Sequence, residues 1–292
     1  MKYPILLLFL LFISACDIIN PEEEIPSFIQ VNEFQLVTNE MLEGSNTQQI
    51  TDVWAFVNGD ALGVFELPAT IPVLESGMQN ITLFAGIRVN GVRNTPLIYP
   101  LYDNYEASVD LVPEEVTLLT PTIEYISNNV FELLEDFESD NISLEARDNG
   151  SIDRVTSSTP MLSGNGVGSI SLVGEATEIT SIATFVDLPT SGGIPVYLEM
   201  DYRTNVELEV GLVGFDISTI NPIQATIFNV VLCPIDDWNK VYVDLQGLLE
   251  QSQLDGYQLA LRVSTDDTGC GGTPTDNPEI LLDNIKLIRF QP

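Results

Sequence analysis

The chain has 292 residues, of which 43 are acidic, 10 are basic and none is histidine. A net charge of −33 argues against a nucleic-acid-binding protein, because phosphate contacts need clustered Lys and Arg. The lack of histidine excludes Ser-His-Asp and Cys-His catalysis and removes the commonest transition-metal ligand. At roughly 100–200 residues per domain, the length of the chain suggests about two domains. Apolar residues make up 45% of the chain, which is ample for hydrophobic cores.

Residues 1–15 have the layout of a secretory signal peptide. Lys2 precedes an apolar run from Ile5 to Ile13, which is shorter than the about 20 residues of a membrane-spanning helix. The ending Ile13-Ser-Ala-Cys16 resembles a bacterial lipobox, which implies that Cys16 carries lipid and becomes the first mature residue. The alternative is an ordinary signal peptide with a chance cysteine.

Residues 16–26 are predicted to be an acidic tether. The stretch from Asp17 to Glu24 contains a proline and four acids and resembles the lipoprotein export signal of certain Gram-negative bacteria. That resemblance implies an outer-membrane protein that faces the cell exterior and contacts the membrane only through its lipid. A plain solvated linker is the alternative.

Residues 27–124 are predicted to form a first β-rich unit. Asn58-Gly59 and Asn90-Gly91 separate apolar runs, and this dipeptide is the strongest short-range hairpin signal. About seven strands in roughly 95 residues are typical of an immunoglobulin-like sandwich. The segment from Asp52 to Gly91 resembles PEGA-type and similar immunoglobulin-like modules of bacterial surface proteins, through its hairpin and the following Gly77-x-x-x-Ile-x-Leu83 strand. The resemblance implies a structural or presenting module without an active site.

Residues 131–292 are predicted to form a second all-β unit, after a polar boundary segment at residues 125–130. About nine short strands suit a jelly-roll sandwich, and Gln246 to Ser252 is predicted to form a short helical turn. Four motifs together resemble a galactose-binding-like jelly roll of the carbohydrate-binding-module type: Glu135-Asp-Phe-Glu138, Tyr197-Leu-Glu-Met-Asp-Tyr-Arg203, Trp238-Asn-Lys-Val-Tyr-Val-Asp-Leu245 and Leu282-Asp-Asn-Ile-Lys-Leu287. The resemblance implies a binding or adhesive domain.

Period-two alternation along these strands predicts one polar and aromatic sheet face. Side chains alternate strictly between the two sides of a strand, so residues two apart share a face. If the strands share a sheet, that face carries these candidate ligand-binding residues: Tyr197, Arg203, Trp238, Lys240, Tyr242 and Arg262. Aromatic rings stack on sugar rings and charged donors hold hydroxyls, so a glycan suits the face. A solvated face with cross-strand ion pairs is the alternative.

The resemblance to binding-module jelly rolls also implies a structural calcium ion where the first and last strands meet. Calcium takes six to eight oxygens and needs no histidine. The matching positions are Asp136, Glu138 and Asp283. No other cofactor is expected.

Two cysteines remain if Cys16 carries lipid. Cys233 and Cys270 form an even pair in an oxidising compartment, where they either make a disulfide or stay free as a core thiol and a loop thiol.

Three functions are compatible with this sequence. The first is a non-catalytic, lipid-anchored surface protein that binds a glycan or another envelope component through the jelly roll. The second is a structural subunit of an envelope secretion or gliding machine. The third is a carboxylate-dependent glycan hydrolase, for which no acid pair stands out among the 43 acids, so no catalytic residue is assigned.

Overall fold

The computed structural model describes residues 24–92, 96–147, 150–156, 162, 164–173, 178–183, 186–189, 193–218, 220, 223–252, 254–265, 269–270 and 277–291. The predicted signal peptide and Cys16 therefore lie outside the described residues. The described chain is all-β, as predicted, and adds two short helices, α1 (Glu40–Glu43) and α2 (Gln246–Ser252). Helix α2 confirms the predicted helical turn. Neither helix, nor any other part that the structure describes, is a long apolar helix of membrane-spanning length.

The N-terminal half contributes ten strands within the described residues: β1 (Ser27–Val31), β2 (Gln35–Leu36), β3 (Asp52–Val57), β4 (Asp60–Glu66), β5 (Ala69–Val73), β6 (Gly77–Arg88), β7 (Pro96–Ile98), β8 (Tyr105–Leu111), β9 (Val116–Leu119) and β10 (Thr122–Ile123). Strands β4–β3–β6–β7, with β8 paired to β6, form what we call the N-terminal sheet. It packs against the small sheet β5–β1–β9, in which β1 and β9 run parallel.

The period-two alternation of side chains explains which residues of β3 enter the core of this sandwich. Val53, Ala55 and Val57 of β3 point into the core, whereas Trp54 and Phe56 between them lie on the other side and are partly exposed. The predicted Asn-Gly hairpin joins β3 to β4, and both of its residues have positive φ, 51° and 90°. The half is a β-sandwich; its assignment to PEGA-type or immunoglobulin-like modules stays a prediction.

The C-terminal half contributes eleven described strands: β11 (Asn129–Glu135), β12 (Leu144–Arg147), β13 (Gly150–Val155), β14 (Val167–Leu172), β15 (Glu178–Ala183), β16 (Val196–Thr204), β17 (Glu207–Phe215), β18 (Ile223–Leu232), β19 (Ile235–Asp244), β20 (Gly256–Ser264) and β21 (Ile280–Phe290).

These strands make two antiparallel sheets that share one core. Strands β13–β14–β21–β16–β19, with β11 paired to β21, form the inner sheet, which faces the N-terminal half. Strands β12–β15–β20–β17–β18 form the outer sheet. Leu198 of the inner sheet and Val210 and Leu261 of the outer sheet belong to the same buried cluster, so the half is a β-sandwich of the jelly-roll type.

The two halves touch over a buried surface. The core of the N-terminal half includes Tyr197, Tyr242 and Ile288 from the C-terminal half. The end of β6 also covers the edge of β19: the Asn90 amide donates to the Tyr242 carbonyl at 2.8 Å. Residues on both sides of the predicted boundary at 125–130 therefore share buried contacts. The predicted domain limits stay a prediction.

Candidate functional site

The inner sheet presents a polar face to the N-terminal half, and we call the resulting contact the buried junction. Its members come from both halves: Tyr99, Tyr102 and Tyr125 on one side, and Tyr197, Glu199, Asp201, Lys240, Tyr242 and Lys286 on the other. Glu199 is fully buried and lies at the centre. Tyr99 and Tyr125 donate hydrogen bonds to its Oε1 at 2.8 and 2.9 Å, and Lys240 Nζ lies 3.4 Å from its Oε2.

Further contacts close the buried junction. Thr47 donates to Asp201 Oδ2 at 2.6 Å and accepts from Lys240 Nζ at 3.2 Å. Lys286 Nζ donates to the Ser45 carbonyl at 2.5 Å and to the Tyr125 hydroxyl at 3.2 Å. Lys240 is thus held by oxygens of both halves and Lys286 by oxygens of the N-terminal half, so both buried charges have partners.

Burial shifts the titration of these groups. Loss of water, together with the Glu199 charge, raises the pKa of Tyr99, Tyr102, Tyr125 and Tyr242. Burial lowers the pKa of Lys286 to about 8, although Glu199 and Asp201 act in the opposite direction. The buried junction is therefore a closed electrostatic unit rather than an open site.

The structure corrects the predicted ligand face. Tyr197, Lys240 and Tyr242 do share a side of the inner sheet, but all three are buried against the N-terminal half, with Tyr242 only 1% exposed. The prediction of one open face is wrong for them, because alternation assigns side chains to a side of the sheet without showing what covers that side.

The remaining three candidates lie apart from the buried junction. Arg203 and Trp238 are partly exposed at the other end of β16 and β19, where Arg203 Nε donates to the Asp236 carbonyl at 2.6 Å. Arg262 lies in β20, which belongs to the outer sheet and not to the inner one. The six residues do not form a common face.

Arg262 belongs to a different open surface, on the outer side of the outer sheet. Its guanidinium donates to both carboxylate oxygens of Glu209 at 2.7 and 2.5 Å. The same guanidinium lies over the Phe228 ring, 4.3 Å from the centroid. We call Glu209, Phe228, Gln258 and Arg262 the Arg262 face.

The centre of the Arg262 face is apolar and buried beneath side chains: Ala260 is 0% exposed and clusters with Val213, and Phe228 packs against this pair. Gly211 lies opposite Ala260 on the neighbouring strand, and a Cβ added at Gly211 would come within 2.1 Å of the Ile227 carbonyl. Gln258 is partly exposed, but its Oε1 is buried without a hydrogen-bond donor among the described residues. The surface combines an aromatic ring, a fixed guanidinium and the partly exposed amide side chain of Gln258.

Part of the Arg262 face was visible in the sequence. Alternation placed Glu209, Gln258 and Arg262 on polar sides of their strands. Phe228 was missed, because β18 bulges opposite β17 between Val210 and Gly211, and the bulge resets the alternation.

The three carboxylates predicted to hold calcium are not gathered into one site. Asp136 Oδ1 accepts from the Glu138 amide at 3.0 Å, and Glu138 Oε1 accepts from the Asn165 amide at 2.8 Å. Asp283 is buried instead and accepts from the Asn284 amide. Within the described ranges, no cluster of three or more Cys, Asp or Glu is placed to hold a metal ion. Binding of calcium itself stays a prediction, which melting curves with calcium and with chelator test.

Asp136 and Glu138 instead line a cleft of about 390 Å³ between the halves, together with Glu40, Thr47 and Asn284. Elsewhere in the C-terminal half, Cys233 and Cys270 form a disulfide, with their Cα atoms 5.6 Å apart.

Comparisons with solved structures give β-sandwich proteins at low identity. A structure described as carbohydrate-binding modules of the β-sandwich superfamily is 15% identical, covers 81% of this chain and 84% of its own, and has a TM-score of 0.35. The xylan-binding domain CBM22-2 of Paenibacillus barcinonensis Xyn10C is 16% identical over 55% of this chain and 99% of its own, with a TM-score of 0.39. A family 11 carbohydrate-binding module from Clostridium thermocellum, in complex with a mixed-linked tetrasaccharide, is 13% identical over 54% and 94%, with a TM-score of 0.37. No protein-family model and no curated protein matches the sequence.

Proposed function

We propose that this protein is a non-catalytic carbohydrate-binding protein whose binding surface is the Arg262 face. The observation that carries the proposal is the guanidinium of Arg262, fixed by two bonds to Glu209 and stacked on Phe228. A guanidinium held in this way keeps a defined orientation on the surface, and an adjacent ring supplies the apolar contact that a sugar face needs.

A binding comparison of matched arginine variants tests the proposal. A soluble form that begins at residue 17 is applied to a glycan array, and the affinity of the selected oligosaccharide is measured for Arg262→Ala, Phe228→Ala and Arg203→Ala. Losing a hot-spot arginine or aromatic typically weakens binding about tenfold or more, so the first two variants are expected to lose affinity and the third to keep it. Loss in Arg203→Ala with none in Arg262→Ala would move the site to the inner sheet.

We further propose that lipid on Cys16 anchors the protein in the outer membrane with its body facing the cell exterior. The support is the lipobox-like sequence and the acidic stretch that follows it. The ten residues between Cys16 and Ser27 reach at most about 35 Å when extended, which keeps the body near the membrane.

Fractionation of a Cys16→Ala variant tests the anchor. The variant is expected to leave the membrane fraction under high salt and carbonate, whereas the wild type stays. Protection of the wild type from protease added to intact cells would contradict the surface location.

A second candidate function, a subunit of an envelope assembly, is favoured by one feature. Exposed apolar side chains surround the point where the chain enters β1: Ile25, Leu74, Met78, Val112 and Val116. Backbone contacts such as the Glu114 amide to the Pro26 carbonyl at 2.9 Å hold these segments together. Apolar patches of this kind mark protein contacts. Co-purification of one fixed envelope protein, lost in Val116→Asp, would support this function.

A further inference from the structure

The outer side of the N-terminal sheet carries a second surface with aromatic and charged rows. Residues at alternate positions of β3 and β6 share this side: Asp52, Trp54 and Phe56 on β3, and Thr82, Phe84, Gly86 and Arg88 on β6. Their neighbours Val53, Ala55 and Leu83 are buried in the core, which fixes the orientation. We call Asp52, Trp54, Phe84 and Arg88 the Trp54 face.

One row of the Trp54 face is aromatic. Trp54 is paired with Val64 on one neighbouring strand and with Phe84 on the other. Phe84 contacts Phe56 edge-to-face at 5.5 Å and 77°, which holds both rings in place. The indole of Trp54 is partly exposed, yet its Nε1 has no acceptor among the described residues. A buried N–H without an acceptor is costly, so this donor needs a partner beyond the residues that the structure describes.

The next row is charged. Arg88 Nε lies 3.1 Å from Asp52 Oδ2, its Nη2 lies 3.2 Å from Asp52 Oδ1, and Glu66 is 3.5 Å from the same nitrogen. Asp52 is buried at 3% exposure, whereas the Arg88 side chain remains 23% exposed. Gly86 lies directly opposite Asp52, and a Cβ there would come within 2.8 Å of the Asp52 side chain, so the close packing of this pair requires glycine.

We propose that the Trp54 face is a second carbohydrate-binding surface, for neutral sugar chains. Two residues along a strand span about 7 Å, so one disaccharide can reach both the aromatic row and the guanidinium–carboxylate row. An aromatic ring beside hydrogen-bonding charges fits a sugar, which has an apolar face and a polar rim.

The charges around the face decide which sugars fit. Asp52 and Glu66 flank the only cation that the described part of this face carries, and the chain as a whole has a net charge of −33. Uronic acids and phosphorylated sugars are therefore repelled, and a purely apolar partner would have to bury the charged row. The inference is independent of the Arg262 face, because it uses residues of the other half alone.

Tryptophan fluorescence gives a local readout. The chain has two tryptophans, so a Trp238→Phe variant leaves Trp54 as its single fluorophore. Adding Arg262→Ala to this variant removes the proposed site on the outer sheet. The double variant is titrated with neutral β-1,4-glucan and xylan hexasaccharides, and with hexagalacturonate as the anionic control.

A saturable change in Trp54 emission with a neutral hexasaccharide, and none with hexagalacturonate, is the expected result. Phe84→Leu and Arg88→Lys are expected to weaken that binding about tenfold. Thr82→Ala, on the same side of β6 but away from the charged row, is expected to leave it unchanged. Melting curves establish that each variant is folded.

Three results would overturn the inference. One is an unchanged emission with every neutral hexasaccharide in a folded protein, and another is an equal response to hexagalacturonate. The third is binding that Phe84→Leu and Arg88→Lys leave intact. If the wild type binds glycans but the Arg262→Ala background does not, the Trp54 face is refuted while the proposed function stands.

Discussion

Glu199 joins more buried partners than any other charge described in the junction. It accepts from Tyr99 and Tyr125 and pairs with Lys240, and all four residues are buried. Replacing it with glutamine leaves a buried lysine without its nearest carboxylate, which typically costs about 3–5 kcal/mol. Tyr99→Phe removes one neutral donor to the Glu199 carboxylate and is expected to cost less, about 1.5–3 kcal/mol. Urea unfolding of both variants checks this ranking, and an equal loss in the two would contradict it.

The stability of the protein should depend on pH through Lys286. Burial lowers the pKa of this lysine from 10.5 to about 8, so between these values the folded chain has released a proton that the unfolded chain still binds. The charged Lys286 therefore lowers the stability of the folded chain below pH 8, and this penalty is relieved as the pH rises toward 10.5. From pH 7 to 9.5 the wild type is expected to gain on the order of 2 kcal/mol relative to Lys286→Met. Parallel pH curves for the two proteins would show that Lys286 titrates normally.

At the scale of single residues, alternation predicted the sides of strands but not their surroundings. It correctly grouped Tyr197 with Glu199 and Lys240 with Tyr242. It did not show that Tyr99 and Tyr125 cover them, since these two lie 100 and 74 positions before Glu199 and no local pattern links them. The sequence signal for a covered face was its content of both aromatic and acidic residues, because solvent-exposed sheet faces rarely carry so many aromatic rings.

Among the elements, the disulfide ties two loops of the outer sheet. Cys233 follows β18 and Cys270 follows β20, at a sequence separation of 37. A cross-link over a loop of this size typically stabilises by about 2–4 kcal/mol. The Cys233→Ser/Cys270→Ser variant is expected to lose that amount in urea unfolding. Reduced wild type serves as the control and should match it, and a difference between the two would assign the loss to the serines.

Local sequence predicted the turns and the short helix α2, but it did not predict which sheet each strand joins. Asn58-Gly59 forms its hairpin because both residues accept positive φ, and α2 forms where predicted. Arg262 was placed in the wrong sheet, because β19 and β20 follow each other in the chain yet belong to opposite layers. That choice depends on long-range pairing with β16 and β17, which alternation within one strand does not encode.

At the scale of the whole molecule, the two halves should differ in whether they fold on their own. The core of the C-terminal half is built from residues 133–287 alone, whereas the core of the N-terminal half also uses Tyr197, Tyr242 and Ile288. Residues 127–292 expressed alone are therefore expected to unfold cooperatively, with a lower midpoint than the full chain. Residues 24–126 are expected to lack a cooperative transition. Calorimetry of the two fragments checks this, and an N-terminal fragment as stable as the full chain would contradict it.

Hydrogen–deuterium exchange with and without the oligosaccharide selected on the array tests the central proposal most directly, because it locates the ligand on the intact chain. Binding at the Arg262 face should slow exchange in β17 (Glu207–Phe215) and β20 (Gly256–Ser264), which carry Glu209, Gln258 and Arg262. The inner sheet, already closed by the N-terminal half, should not change. Protection confined to β16 and β19, or no protection at a saturating concentration, would contradict a carbohydrate site on the outer sheet.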